Sequence, residues 1–131
     1  MDQTKGPAKS FTDLVAWREG HTLVISLYKA TKSFPKEEIF ALISQIRRAA
    51  VSVTSNIAEG FNRKTAKDKI HFYSMALGLV AELQNQILIA RDIKYVEREA
   101  FARLSEQTIL VHKLISGLIR SIEKAAVDSR K

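Results

Sequence analysis

The last third of the chain sets apolar residues at alternating steps of three and four: Phe101, Leu104, Thr108, Val111, Ile115, Leu118 and Ile122. Only an α-helix brings such a series onto one face; a strand would send alternate members to opposite sides. A lone helix cannot bury that stripe, so its cover has to come from the rest of the chain.

Three further stretches repeat the pattern. In the first, Leu14, Trp17, His21, Val24, Tyr28 and Thr31 share a face, widened by Leu23, Leu27 and Ala30. Ser10 or Thr12 is expected to cap it, and Phe34-Pro35 to end it, because a residue before proline is pushed out of helical geometry. In the second, Ile39, Leu42, Ile46, Ala49, Ala50, Val53 and Ile57 line up, with Glu37 and Glu38 in the first turn and Gly60 as the expected left-handed stop. The third opens at Thr65 with Asp68 three residues on, an approximate capping box, and runs through Tyr73, Leu77, Val80, Leu83 and Ile87. The links around 34–36, 60–64 and 94–97 are short, which makes consecutive helices antiparallel neighbours. The expected fold is therefore all-α, an up-down-up-down four-helix bundle over residues 11–126. Residues 1–10 are expected to form a flexible N-terminal segment and 127–131 a frayed tail.

At 131 residues the chain has the size of one domain, and with no Cys it has neither disulfides nor thiolate metal sites. No window reads as a signal peptide or membrane span, so a cytoplasmic protein without membrane contact is expected. Lys and Arg number 21 against 14 Asp and Glu, a net charge of +7. That surplus favours polyanionic partners, although it is spread along the chain and no run of five like charges occurs. The third segment carries a second apolar face, Phe72, Met75 and Leu79, beyond what one core needs, and it is the candidate oligomer interface.

Residues 45–68 read QIRRAAVSVTSNIAEGFNRKTAKD, with the skeleton Gln45-x-Arg47-Arg48-Ala49-Ala50-x-Ser52, Asn56-Ile57-Ala58-Glu59-Gly60 and Arg63. Upstream stand Phe11-x-Asp13-Leu14-x-x-Trp17 and Phe34-Pro35-x-x-Glu38. In this order the motifs resemble the bacterial four-helix-bundle family called 23S rRNA-intervening-sequence proteins, over residues 11 to about 120. The family name records where some of its genes lie, within insertions in ribosomal RNA genes. The resemblance implies a ring-like homo-oligomer, a pentamer, with no established enzymatic activity. Related bundles act as accessory proteins of diversity-generating retroelements, binding nucleic acid and a reverse transcriptase.

Gln45, Arg48, Ser52, Asn56 and Glu59 form a polar stripe on the second segment, read as structural, its members hydrogen-bonded and fixing helix register. No nucleophile–base–orienter set is visible, so no catalytic residues and no cofactor are expected. His21, His71 and His112 lie on three different segments without the i,i+4 pairing of a helical zinc site, and no metal is expected; His21 reads as a core or interface residue. The candidate nucleic-acid contacts are Arg47, Arg63, Lys64, Lys67 and Lys69, the last four around the turn between the second and third segments. Two readings stay open: a non-enzymatic assembly that binds RNA or DNA through phosphates, or a scaffold that holds a protein partner such as a reverse transcriptase.

Overall fold

The structure is a computed structural model and describes residues 7–130. Its four helices are α1 (Val15–Thr31), α2 (Leu42–Asn62), α3 (Ala66–Asp92) and α4 (Arg98–Asp128), and no strand occurs among the described residues. Each helix packs against the next, and α4 closes the ring against α1. The pairings run antiparallel. Arg63 meets Phe72 and Arg48 meets Glu82 between α2 and α3, while Arg91 meets Phe101 and Gln84 meets Thr108 between α3 and α4.

The core is one continuous cluster with Leu23, Leu27, Ile46, Val53, Ile57, Tyr73, Val80, Leu83, Val111 and Ile115 near its axis. Three threonines are buried with it, Thr31, Thr54 and Thr108, and each satisfies its hydroxyl on its own helix, at Leu27 O (2.8 Å), Val51 O (3.0 Å) and Ser105 O (2.7 Å). In α1 the buried face differs from the expected stripe. Ala16, Gly20, Leu23, Leu27 and Thr31 point inward, whereas His21 and Tyr28 are exposed. Small residues at 16 and 20 let α2 approach, and the aromatic residues are displaced to the rim. His21 there stacks on Trp17, with ring centroids 4.8 Å apart, so it is not a core residue.

The helix ends hold three further departures from expectation. Ser10 caps a short 3-10 turn, Phe11–Asp13, in a full capping box with Asp13; α1 itself starts after Leu14 with no side-chain cap. Glu37 and Glu38 belong to a second 3-10 turn, Lys36–Glu38, so α2 begins only at Leu42 and Ile39 is left exposed. Gly60 does not stop α2. It has no positive φ, and the helix continues to Asn62. A Cβ at residue 60 would lie 2.6 Å from Cε1 of Tyr73, so the glycine is there to admit that ring.

Lys94 is the one described residue other than glycine with positive φ, at 66°. Its N–H donates to Arg91 O and that of Tyr95 to Ala90 O, the double closure of a Schellman motif that turns the chain from α3 into α4. The hydroxyl of Tyr95 donates to Glu38 at 2.8 Å and ties this turn to the α1–α2 connection. At the C-terminus the helix runs on to Asp128, into the stretch expected to fray; the expectation for residues 1–6 and 131 lies outside the described residues.

Candidate nucleic-acid interface

The turn between α2 and α3 is built by Thr65, whose hydroxyl accepts the Asp68 N–H at 3.1 Å and starts α3, and by Arg63, which leaves helical geometry to end α2. Four of the five candidate cations surround this turn, and they are not equivalent. Lys69 reaches back from α3 so that its Nζ donates to Phe61 O at 2.7 Å and Gly60 O at 3.4 Å. It neutralises the carbonyl end of α2, where the helix dipole favours a cation. Arg63 pairs with Glu59 one turn earlier at 2.8 Å and lies over the Phe72 ring, 4.5 Å from its centroid. Lys64 and Lys67 are exposed, with no ion pair among the described residues. One carboxylate, Asp68, sits in the same first turn of α3 and offsets part of their field.

Arg47 lies elsewhere. Sixteen residues before Arg63 on the same helix, it is about 24 Å away along the axis. Its Nε donates to Thr31 Oγ1 at 2.9 Å and an Nη to Tyr28 O at 3.3 Å, with the guanidinium over the Tyr28 ring. It therefore joins α2 to the last turn of α1, and the structure does not bring it together with the other four.

The polar stripe of α2 runs along the flank that faces α3. Arg48 bonds Glu82 at 2.8 Å, and the same carboxylate oxygen accepts from Gln86 at 3.1 Å, so the chain Arg48–Glu82–Gln86 crosses the α2–α3 seam. Asn56 donates to Ser52 O on its own helix at 2.8 Å. Gln45 and Glu59 are exposed, Glu59 with 48% of its side chain accessible. Pairs this exposed contribute about 0–1 kcal/mol in a single chain. Beside the stripe lies the second apolar face of α3: Phe72 and Leu79 half-buried and Met75 43% exposed. Stepping by three and four, Phe72, Met75, Leu79, Glu82 and Gln86 make one band alongside it. The carboxamide oxygen of Gln86 is buried at this seam without a partner among the described residues.

Sequence spacing located these side chains but could not show which cations were already engaged. That depends on which carbonyls a long side chain can reach after the helices dock. Among the described residues no three His, Asp or Glu side chains are grouped to hold a metal ion, and no helix is long and apolar enough to cross a membrane.

The same helices occur in a solved structure. A crystal structure from Bacteroides thetaiotaomicron VPI-5482, described as a protein of unknown function from the S23 ribosomal protein family, superposes with a TM-score of 0.75. The two share 20% sequence identity, over 81% of this chain and 96% of that one, a likeness of fold. Curated proteins provide no match. The sequence model of the 23S rRNA-intervening sequence proteins matches residues 12–117, which takes in α1 to α3 entire and most of α4; the chain belongs to that family.

Proposed function

We propose that this chain is a non-enzymatic, self-associating helical bundle that binds RNA or DNA through phosphate contacts with little sequence preference. The observation that carries the reading is the turn between α2 and α3. Lys64 and Lys67 have no carboxylate partner among the described residues there, at the start of a helix whose dipole favours anions. Arg63, held over Phe72, adds a third donor that can exchange Glu59 for a phosphate. Assembly multiplies such a patch, and a pentamer, as the family resemblance implies, would place five copies on one particle. The composite α2–α3 face with Phe72, Met75 and Leu79 is the candidate surface for that assembly.

The same apolar band supports a second reading, a scaffold that seats another protein on this face. A titration with duplex DNA, single-stranded DNA and RNA at about 50 and 200 mM salt separates the two, because phosphate contacts release counterions. On duplex DNA each contact adds about −0.9 to the log–log salt slope, so Lys64→Ala with Lys67→Ala should flatten it by about 1.8 for any sequence. If none of the three nucleic acids binds at the lower salt, the scaffold reading replaces this one.

A further inference from the structure

The ring of helices is closed least tightly between α1 and α4, and a groove follows that seam down to the α3–α4 turn. Its middle stretch is a cleft of about 310 Å³ lined by Ser26, Lys29, Ala30, Ala100, Arg103 and Gln107 over the buried Leu104. Alanine at positions 30 and 100 keeps the floor low. Gln107 Nε2 donates to Ser26 Oγ at 3.1 Å across the seam, which fixes both side chains. The Ser26 hydroxyl proton and the second amide proton of Gln107 have no acceptor among the described residues.

Lys29 on α1 and Arg103 on α4 stand on the two sides of the cleft. Both are exposed, and neither makes an ion pair among the described residues. No carboxylate lines this stretch. The adjoining stretch toward Leu110 shares Ser26, Arg103 and Gln107 with it and contains Glu106, and the one toward Lys94 contains Glu97. Two cations and two neutral donors converge between carboxylates, an arrangement that selects a short, compact anion over a long one following the groove. The volume accommodates a phosphoryl group with the sugar attached to it.

We infer that the α1–α4 cleft is a phosphoryl-binding site, with Lys29 and Arg103 as its charged jaws and Ser26 and Gln107 as its neutral donors. Arg103 offers the planar fork that matches two phosphate oxygens, and Lys29 supplies a point charge opposite. The phosphoryl group can belong to a nucleotide lying in the cleft or to a nucleic-acid strand that crosses the seam.

The test uses the full chain with three probes: inorganic pyrophosphate, ADP and a twelve-nucleotide single strand. Calorimetry follows the first two and fluorescence anisotropy the third. Lys29→Ala combined with Arg103→Ala should weaken pyrophosphate and ADP at least about tenfold, with helical content unchanged, since both residues are exposed at the rim of the cleft. The charge-conserving pair Lys29→Arg and Arg103→Lys should bind more tightly than the alanine pair but below wild type, because the charge is kept while the fork at residue 103 is lost; a merely structural role would not require that order. If the cleft also takes a strand, the alanine pair flattens the single-strand salt slope by about 1.4, at about 0.7 per phosphate contact. ADP binding that disappears in the alanine pair while nucleic acid never binds sustains the cleft and refutes the phosphate reading of the α2–α3 turn. Wild-type protein that binds none of the probes, or an alanine pair that binds all of them unchanged, overturns the inference.

Discussion

Gly60→Ala is expected to destabilise the bundle although alanine is the better helix former. Gly60 lies inside α2 and is buried, and a Cβ there would meet Tyr73 Cε1 at 2.6 Å, Tyr73 Cδ1 at 2.8 Å and Phe72 Cβ at 3.3 Å. Carbon atoms pack at about 3.5–4.0 Å, so the two ring contacts fall about 1 Å too short. Tyr73 is only 2% exposed and is held by the core on all sides, so the ring cannot swing away. Overpacking of this kind costs about 1–3 kcal/mol, and the upper part of that range applies. The gain in helix propensity returns about 1 kcal/mol. The net loss is about 1–2 kcal/mol, or about 4–7 °C in Tm for a chain of this length. Gly78→Ala is the control. A methyl at that position, on the exposed side of α3, would have nothing within 4 Å, so the change should raise Tm by about 3–4 °C. Thermal melts of both variants decide the matter, with Gly60→Ala repeated in a Tyr73→Leu background, where the penalty should vanish. A Gly60→Ala protein that gains stability in step with Gly78→Ala would refute the reasoning.

Lys94→Gly should stabilise by about 1 kcal/mol, because residue 94 sits at φ 66°, where a side chain is unfavourable; a lowered Tm would show that the Lys94 side chain contributes more than its backbone loses. Phe72→Asp or Leu79→Asp should reduce the particle mass seen by light scattering with helical content retained, and a wild type already monomeric at micromolar concentration removes the basis for that expectation. At alkaline pH the protein should lose stability. Burial raises the pKa of Tyr73, and the hydrogen bond to Glu38, followed by burial, raises that of Tyr95. A folded-state pKa above the unfolded one means the contribution is intact below about pH 10 and is lost as pH climbs through the folded value. Denaturant midpoints from pH 8 to 11 should show that decline, and Tyr73→Phe should flatten it.

Helix number, order and approximate extent were legible because the three-and-four spacing reports burial on one side directly, as Leu104, Thr108, Val111 and Ile115 of α4 do. Where the reading went astray, the cause was tertiary. In α1 the inward face is carried partly by Ala16 and Gly20, whose modest hydrophobicity hides it, while Trp17 and Tyr28 look like core and occupy the rim. Gly60 resembles a helix stop by position alone; its reason is Tyr73, thirteen residues later on another helix. Lys94 takes the left-handed position usually given to glycine, so no local signal marked the Schellman turn. For the candidate site, residue type and spacing identified the basic turn, but the engagement of Lys69 with the end of α2 and of Arg47 with the end of α1 follows from docking.

Those engagements change what the net charge of +7 means. Arg47, Lys69 and Arg91 each sit at or near the carbonyl end of a helix or against an aromatic ring, so their charge is largely consumed by the fold. Among the cations that make no ion pair within the described residues are two pairs, Lys64 with Lys67 at one end of the bundle and Lys29 with Arg103 toward the other. Because α4 runs antiparallel to α3, the two pairs lie roughly 30 Å apart along the helix axes. At 3.4 Å per phosphate along one strand of a duplex, that separation spans about nine phosphates. A strand engaging both pairs has to follow the bundle lengthwise, and the salt slopes lost on removing each pair then add in the fourfold variant. A nucleotide in the cleft touches one pair only, and removing Lys64 and Lys67 leaves its binding unchanged. The separation of the two pairs thus turns a single question about basic surface into two that can be answered independently.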